Sequence, residues 1–138
     1  MSGIIIKWKN YKPLPASWMK PQPHHPQKAE ISWNDFEKLD IRVGTITEAL
    51  PFPKARKPAY QLQIYFGALG SRWTSAQITD FYSPQDLINR QVIALINLPK
   101  KQIANFFSEC LVLGIYNEDG KVILLQPEKS IPDGAAIG

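Results

Sequence analysis

Cysteine occurs once in the 138 residues, at Cys110, so no disulfide can form within the chain and a reducing compartment is the expected setting. Long apolar runs are missing too. The run nearest the N-terminus, Ile4 to Ile6, ends in lysines and prolines after three residues, too short for a signal-peptide core or a membrane span. Residues 1–29 contain no arginine, the residue a mitochondrial presequence favours. A cytoplasmic protein without membrane insertion is the expectation. Groups suited to catalysis are equally sparse. Both histidines, His24 and His25, sit together without Cys or carboxylate neighbours, a poor metal-binding pattern. No glycine-rich phosphate loop is present. Cys110 opens an apolar strand, where a thiol is ordinarily inert packing, and Ser108 has no base beside it. The sequence therefore predicts a binding protein with no enzymatic activity, no cofactor and no metal.

What the chain does have is positive charge in one place. Residues 1–29 carry Lys7, Lys9, Lys12, Lys20 and Lys28 and no acid, whereas residues 30–138 carry eleven basic and twelve acidic residues. The net charge of +4 therefore belongs to the tail. Five of the twelve prolines also lie there, at Pro13, Pro15, Pro21, Pro23 and Pro26, spaced to interrupt any helix or strand. Two parts are expected: a proline-rich basic tail over 1–29, read as an extended arm bearing Trp8, Tyr11 and Trp18, and one globular domain over 30–138.

In the second part, Ser32 with Asp35 three residues on reads as a helix N-cap, opening a short helix to about Leu39 with Phe36 and Leu39 on one face. A first strand follows from Ile41 to Leu50, with Gly44 as a bulge or bend. In the second strand Tyr60, Leu62, Ile64 and Phe66 alternate with Gln61, Gln63 and Tyr65, so one face is core and the other free. Gly67 and Gly70 flank a turn into a third strand, Trp73 to Thr79, with Ala76 and Ile78 inward and Trp73, Ser75 and Gln77 outward. A slip of one residue in that phase turns Trp73 inward instead. Ser83 and Pro84 start another short helix, which ends near a left-handed Asn89. Val92 to Ile96 and Leu111 to Tyr116 are continuous apolar runs and read as buried strands; the second turns at Asp119-Gly120 into Val122 to Leu125. This layout predicts an all-β protein: a five-stranded OB-fold barrel with short helices before strand 1 and between strands 3 and 4, plus a C-terminal hairpin.

An OB barrel binds ligands on the outer face of strands 2 and 3 and through the loops joining strands 1 to 2 and 4 to 5. Those loops are Pro51 to Pro58, with Lys54, Arg56 and Lys57, and Asn97 to Phe107, with Lys100 and Lys101. No acid occurs between Glu48 and Asp80 or between Asp86 and Glu109, so the positive charge is segregated although the domain is nearly neutral. Between the loops the face shows Gln61, Gln63, Tyr65, Trp73, Ser75 and Gln77, with Arg72, Asn97 and Ser108 completing the candidate ligand-binding set. Amides and rings suit bases or an extended peptide alike. Phe106 and Phe107 read as barrel-cap or dimer packing rather than a stacking platform.

The segments FEKLDIRVG (Phe36 to Gly44), FPKARKPAY (Phe52 to Tyr60), SAQIT (Ser75 to Thr79) and SECLVLG (Ser108 to Gly114) resemble the CsaA secretion chaperones of the tRNA-binding-domain superfamily, over about residues 30–138. DIRVG is shared broadly with tRNA-binding domains such as those appended to methionyl-tRNA synthetases. ARKPAY, SAQIT and the ending Pro132-Asp133-Gly134 to Gly138 point more narrowly to CsaA. The resemblance implies a homodimer that binds unfolded or presecretory polypeptides, with tRNA as the alternative ligand. The Ile131 to Ile137 segment is a candidate dimer contact. The tail of residues 1–29 is not part of the family pattern, Asn89 stands where glycine is expected, and Phe107 stands where methionine is usual.

Overall fold

The computed structural model describes residues 15–19 and 26–138. The expectations for Ile4 to Ile6, Trp8, Tyr11, His24 and His25 lie outside the described residues. Contacts divide the chain into two units, Met1–Glu30 and Ile31–Gly138. In the first, Ala16–Met19 forms one turn of 3-10 helix, closed by the Trp18 amide donating to the Pro15 carbonyl at 2.9 Å. One such turn fits between neighbouring prolines, so this stretch is not extended throughout.

The second unit begins with α1 (Trp33–Glu37), capped as the sequence predicts. The Asp35 amide donates to Ser32 Oγ at 3.1 Å, and the Ser32 amide donates back to the Asp35 carboxylate. The Lys38 ammonium beside Asp35, followed by its hydrogen bonds with Ser32, holds that carboxyl below its ordinary value. The helix is two residues shorter than expected and buries little: Phe36 is half-buried, Leu39 is exposed and Trp33 is 82% exposed.

β1 (Ile41–Pro51), β2 (Tyr60–Tyr65), β3 (Ser71–Ala76), α2 (Pro84–Leu87), β4 (Gln91–Leu95) and β7 (Leu111–Val112) build the barrel. Inside the long connection after β4 lies a hairpin, β5 (Lys101–Ile103) and β6 (Phe106–Ser108), and after β7 a second one, β8 (Gly114–Tyr116) and β9 (Val122–Leu124). The main sheet is antiparallel in the order β3-β2-β1-β4-β7. β1 serves two partners, pairing with β4 over Ile41–Thr45 and with β2 over Thr45–Pro51, which is how one strand turns a barrel corner.

The bend in β1 is not at Gly44. That residue pairs in register with Val92, and the ladder shifts between Ile46 and Glu48, so Thr47 is the bulged residue. Gly44 is required for space: a Cβ there would lie 2.7 Å from Ile64 Cγ2 and from the Phe66 ring. Ile46, Leu62, Ile64, Phe66, Leu87 and Val92 have no exposed surface. Each is worth about 1.5–3 kcal/mol of burial, so this inward row is the main source of stability. Asn89 takes the left-handed conformation, φ 67°, as the expected cap after α2.

β3 and the Ser108 to Cys110 stretch that leads into β7 are joined by main-chain and side-chain hydrogen bonds, which brings the two ends of the sheet together. The Glu109 amide donates to the Trp73 carbonyl at 2.8 Å and the Trp73 amide donates to Glu109 Oε1 at 3.0 Å. Thr74 Oγ1 donates to the Cys110 carbonyl at 2.7 Å, and the Ser75 amide donates to Ser108 Oγ at 3.2 Å. The result is a nearly closed five-stranded barrel, the OB fold expected from the strand count. Cys110 is buried at this seam, and burial pushes its thiol up to about 11, against the hydrogen bond from Thr74, so it stays protonated and unreactive.

One expected buried strand differs. The Leu111 to Tyr116 run breaks at Leu113, whose amide turns to the Ile93 carbonyl at 2.8 Å. Leu111, Ile115 and Tyr116 are exposed. Beyond the break β8 pairs with β9 alone; Val112, Val122 and Leu124 face the core, while Leu111, Ile115 and Tyr116 form an outward apolar face. Among the described residues no helix is long and apolar enough to cross a membrane.

Candidate functional site

The outward row of the sheet runs as expected. Gln61 pairs with Ser75 and Gln63 with Trp73 across β2 and β3, while Leu62, Ile64, Thr74 and Ala76 point inward. Trp73 is therefore on the outer face, and the alternative phase does not occur. It is half-buried because the β5–β6 hairpin folds over it: the Phe106 ring meets Trp73 edge to face, with centroids 6.3 Å apart at 89°. Phe106 also contacts Phe52 at 5.2 Å and 60°, tying the β1–β2 loop to the hairpin. Two distant stretches of chain thereby form one rim.

Between the sheet face and the hairpin lies an open groove of about 520 Å³, with Gln61, Trp73 and Leu50 on the sheet side and Lys100, Asn105, Phe106, Phe107 and Glu109 on the hairpin side. A second groove of about 410 Å³ follows the β3–β7 seam and takes Ser75, Gln77, Lys101 and Ser108 along its edge with Leu111 and Tyr116. The candidate set is thus divided between two neighbouring concavities. Gln63 and Tyr65 face outward on β2 and line neither.

Lys54, Arg56 and Lys57 are exposed on the β1–β2 loop, and among the described residues none of them, nor Lys101, has an ion-pair partner. Lys100 stands 3.7 Å from Glu109 Oε2. Three other candidates use their polar atoms within the barrel. Arg72 shares the inward phase of Thr74 and donates through Nη1 to the Ile96 carbonyl at 2.6 Å. Asn97 accepts from the Asp40 amide at 3.0 Å and donates to the Lys38 carbonyl at 2.7 Å, fastening α1 to the end of β4. Ser108 shares a hydrogen bond with Thr74 Oγ1 at 3.0 Å and holds the seam.

Leu50, Asn105 and Glu109 are lining residues that sequence reasoning missed, and Phe106 and Phe107, expected as packing only, line the groove as well. Glu109 carried one signal, as the acid that ends an acid-free stretch of loop. The hairpin carried none, because its turn places Ala104 at φ 54° without glycine or Asn-Gly. Among the described residues no group of three His, Cys, Asp or Glu side chains is placed to hold a metal.

Residues 41–136 match the family described as "Putative tRNA binding domain". Chaperone CsaA from Bacillus anthracis str. Ames is 49% identical, with a TM-score of 0.76 over 80% of this chain and 100% of that one. CsaA chaperone protein from Picrophilus torridus is 53% identical, with a TM-score of 0.74 over 79% and 100%. A methionine–tRNA ligase of Parabacteroides distasonis is 37% identical over 112 residues, 81% of this chain but 16% of the ligase. The chain thus spans about a sixth of the length of the curated relatives it matches. The family is a binding-domain family rather than a catalytic one. With its barrel, its groove and the DIRVG and ARKPAY segments in place, this chain belongs to the tRNA-binding-domain family and is CsaA-like within it.

Proposed function

We propose that this protein is a CsaA-like, export-related chaperone, a non-enzymatic cytoplasmic homodimer that holds unfolded or presecretory polypeptide on the outer face of β2 and β3. Residues 30–138 do the binding, and residues 1–29 form a separate basic tail. The observation that carries the reading is the groove over Trp73. It offers rings and amides to an extended chain, and Phe52, which touches its wall, begins the loop that carries Lys54, Arg56 and Lys57, exposed and without an ion-pair partner among the described residues. Such a surface takes side chains by burial and discriminates by charge, and neither step needs a reacting group.

A second reading has its own support. The family description and the methionine–tRNA ligase similarity favour tRNA, with Lys54, Arg56, Lys57, Lys100 and Lys101 on phosphates and the groove holding unstacked bases. Salt separates the two. Labelled bulk tRNA and a labelled unfolded export-protein segment, titrated by fluorescence anisotropy at low and physiological salt, give the answer. Polypeptide binding that persists at physiological salt, with a salt slope much shallower than that of tRNA, supports the chaperone reading. Tight tRNA binding that weakens with a logarithmic slope of about 0.7–0.9 per phosphate neutralised, without polypeptide binding, overturns it.

The homodimer is proposed to use the outward apolar face beyond β7. Ile115 and Ile123 pair across the β8–β9 hairpin and are 56% and 46% exposed. Sedimentation is expected to give a dimer for the wild type and a monomer with unchanged circular dichroism for Ile115→Asp/Ile123→Asp. A variant that stays dimeric moves the interface elsewhere, with the Ile131 to Ile137 segment next to be tested.

A further inference from the structure

We infer that residues 1–19 hold the protein against an anionic lipid surface, lying on the bilayer rather than crossing it. The inference is independent of what the barrel binds. Residues 1–29 carry five lysines and no acid, and the first acid of the chain is Glu30. Lys7, Lys9 and Lys12 are interleaved with Trp8 and Tyr11 directly after Ile4, Ile5 and Ile6. Their chemistry, not their placement, is what counts, since all of them lie outside the described residues. Lysine stems lie along the apolar boundary of a bilayer with their ammonium groups in water, and tryptophan and tyrosine rings favour the same depth. Ile4 to Ile6 falls far short of the roughly 20 apolar residues of a span, so it enters only that boundary. In the part of this segment that is described, Pro15 to Trp18 are exposed, and Trp18, 54% exposed on its 3-10 turn, offers a further ring.

RNA is the competing polyanion, and two features disfavour it. Arginine, whose planar fork grips phosphate with two parallel hydrogen bonds, is missing from the tail: Arg42, Arg56, Arg72 and Arg90 all lie in the barrel. Rings stack on bases as readily as they enter a bilayer boundary, but the isoleucines have no counterpart on phosphate or base. A bilayer takes charge, ring and aliphatic side chain together. A lysine near an anionic leaflet contributes about fivefold in partitioning, so Lys7, Lys9 and Lys12 together contribute about a hundredfold. Stable attachment needs a second, apolar contribution, which Ile4 to Ile6 supplies.

The test is cosedimentation of the full chain with two kinds of vesicle, phosphatidylcholine alone and equal parts phosphatidylcholine and phosphatidylglycerol. Labelled polyuridylate is the RNA arm. The wild type is expected to bind the anionic vesicles about a hundredfold or more tighter than the neutral ones and to be released by high salt. Lys7→Gln/Lys9→Gln/Lys12→Gln is expected to lower anionic binding about a hundredfold, and Ile4→Ser/Ile5→Ser/Ile6→Ser about tenfold or more. Circular dichroism checks that both variants keep the barrel. Binding that needs the lysines and not the isoleucines overturns the inference, because only the charge then matters. Vesicle binding kept by both tail variants and lost in Arg56→Ala/Lys57→Ala places the contact on the barrel and overturns it as well. Polyuridylate binding through the tail lysines without vesicle binding makes the tail an RNA arm, and the absence of any vesicle binding sinks the lipid surface outright.

Discussion

Deleting residues 131–138 is expected to lower the melting temperature by about 12 °C or more. That segment is a strap across the first half of β1. The Gly134 amide donates to the Val43 carbonyl at 2.7 Å, the Val43 amide to the Ala135 carbonyl at 2.9 Å, and the Ile137 amide to the Ile41 carbonyl at 2.9 Å. Side chains reinforce it: Thr45 Oγ1 donates to Asp133 at 2.7 Å, Gln91 Nε2 donates to Asp133 at 3.1 Å, and Arg42 Nη1 donates to the Gly134 carbonyl at 3.0 Å. At a net value of about 0.5–1.5 kcal/mol each, these six bonds together contribute about 3–9 kcal/mol, and a domain of this size loses about 4 °C per kcal/mol. A subtler version is Gly134→Ala. Gly134 sits at φ 92°, and a Cβ there would lie 2.6 Å from the Phe66 carbonyl oxygen, so one methyl group both strains the backbone and pushes the strap away. It is expected to cost about 2 kcal/mol or more. Thermal melts followed by circular dichroism read both variants. Unchanged melting would mean that β4 alone secures this stretch of β1.

The double substitution Arg56→Ala/Lys57→Ala is expected to do the reverse, weakening ligand binding about tenfold or more at low salt while leaving the melting temperature nearly unchanged. Both side chains are exposed and, among the described residues, have no ion-pair partner, so removing them changes stability by about 0.5 kcal/mol or less. They lie next to Pro58 on the loop whose Phe52 touches the groove wall, and the proposed function has their charge meet the bound chain. With tRNA as ligand, the loss comes with a salt slope shallower by about one for each phosphate contact removed. With polypeptide, it falls on acidic sequences. Calorimetry and anisotropy on the same sample separate the effects, and a fall in stability matching the fall in affinity would make the pair structural.

Local chemistry explains why much of the barrel was legible. Ser32 with Asp35 and Ser83 with Asp86 are capping boxes whose partners lie three residues apart, so both helix starts are written in short stretches of chain. Strict alternation from Tyr60 to Phe66 sets which side of β2 is core, because successive side chains on a strand face opposite ways. Gly67 and Gly70 mark a turn because their φ values, 64° and 80°, are ones that other residues rarely adopt.

The expectations that changed depend on distant partners. Gly44 reads as a bend until Ile64 and Phe66 are seen against it. Leu111 to Tyr116 reads as core because apolarity does not say which surface will cover it. Arg72, Asn97 and Ser108 are the same polar residue types as true surface groups, and only folding shows their donors and acceptors turned to Ile96, Lys38, Asp40 and Thr74.

By itself the sequence determined the all-β barrel, its caps and turns, the outward amide and aromatic row of β2 and β3, and the cations of the β1–β2 loop. These follow from spacing over a few residues, which backbone geometry converts directly into faces and turns. Tertiary structure alone decided that Phe52, Trp73 and Phe106 meet, that the connection after β4 folds into a hairpin over the sheet, and that the C-terminal strap closes on β1. Those contacts join residues far apart in the chain, and their existence depends on the barrel first bringing the strands that carry them within reach.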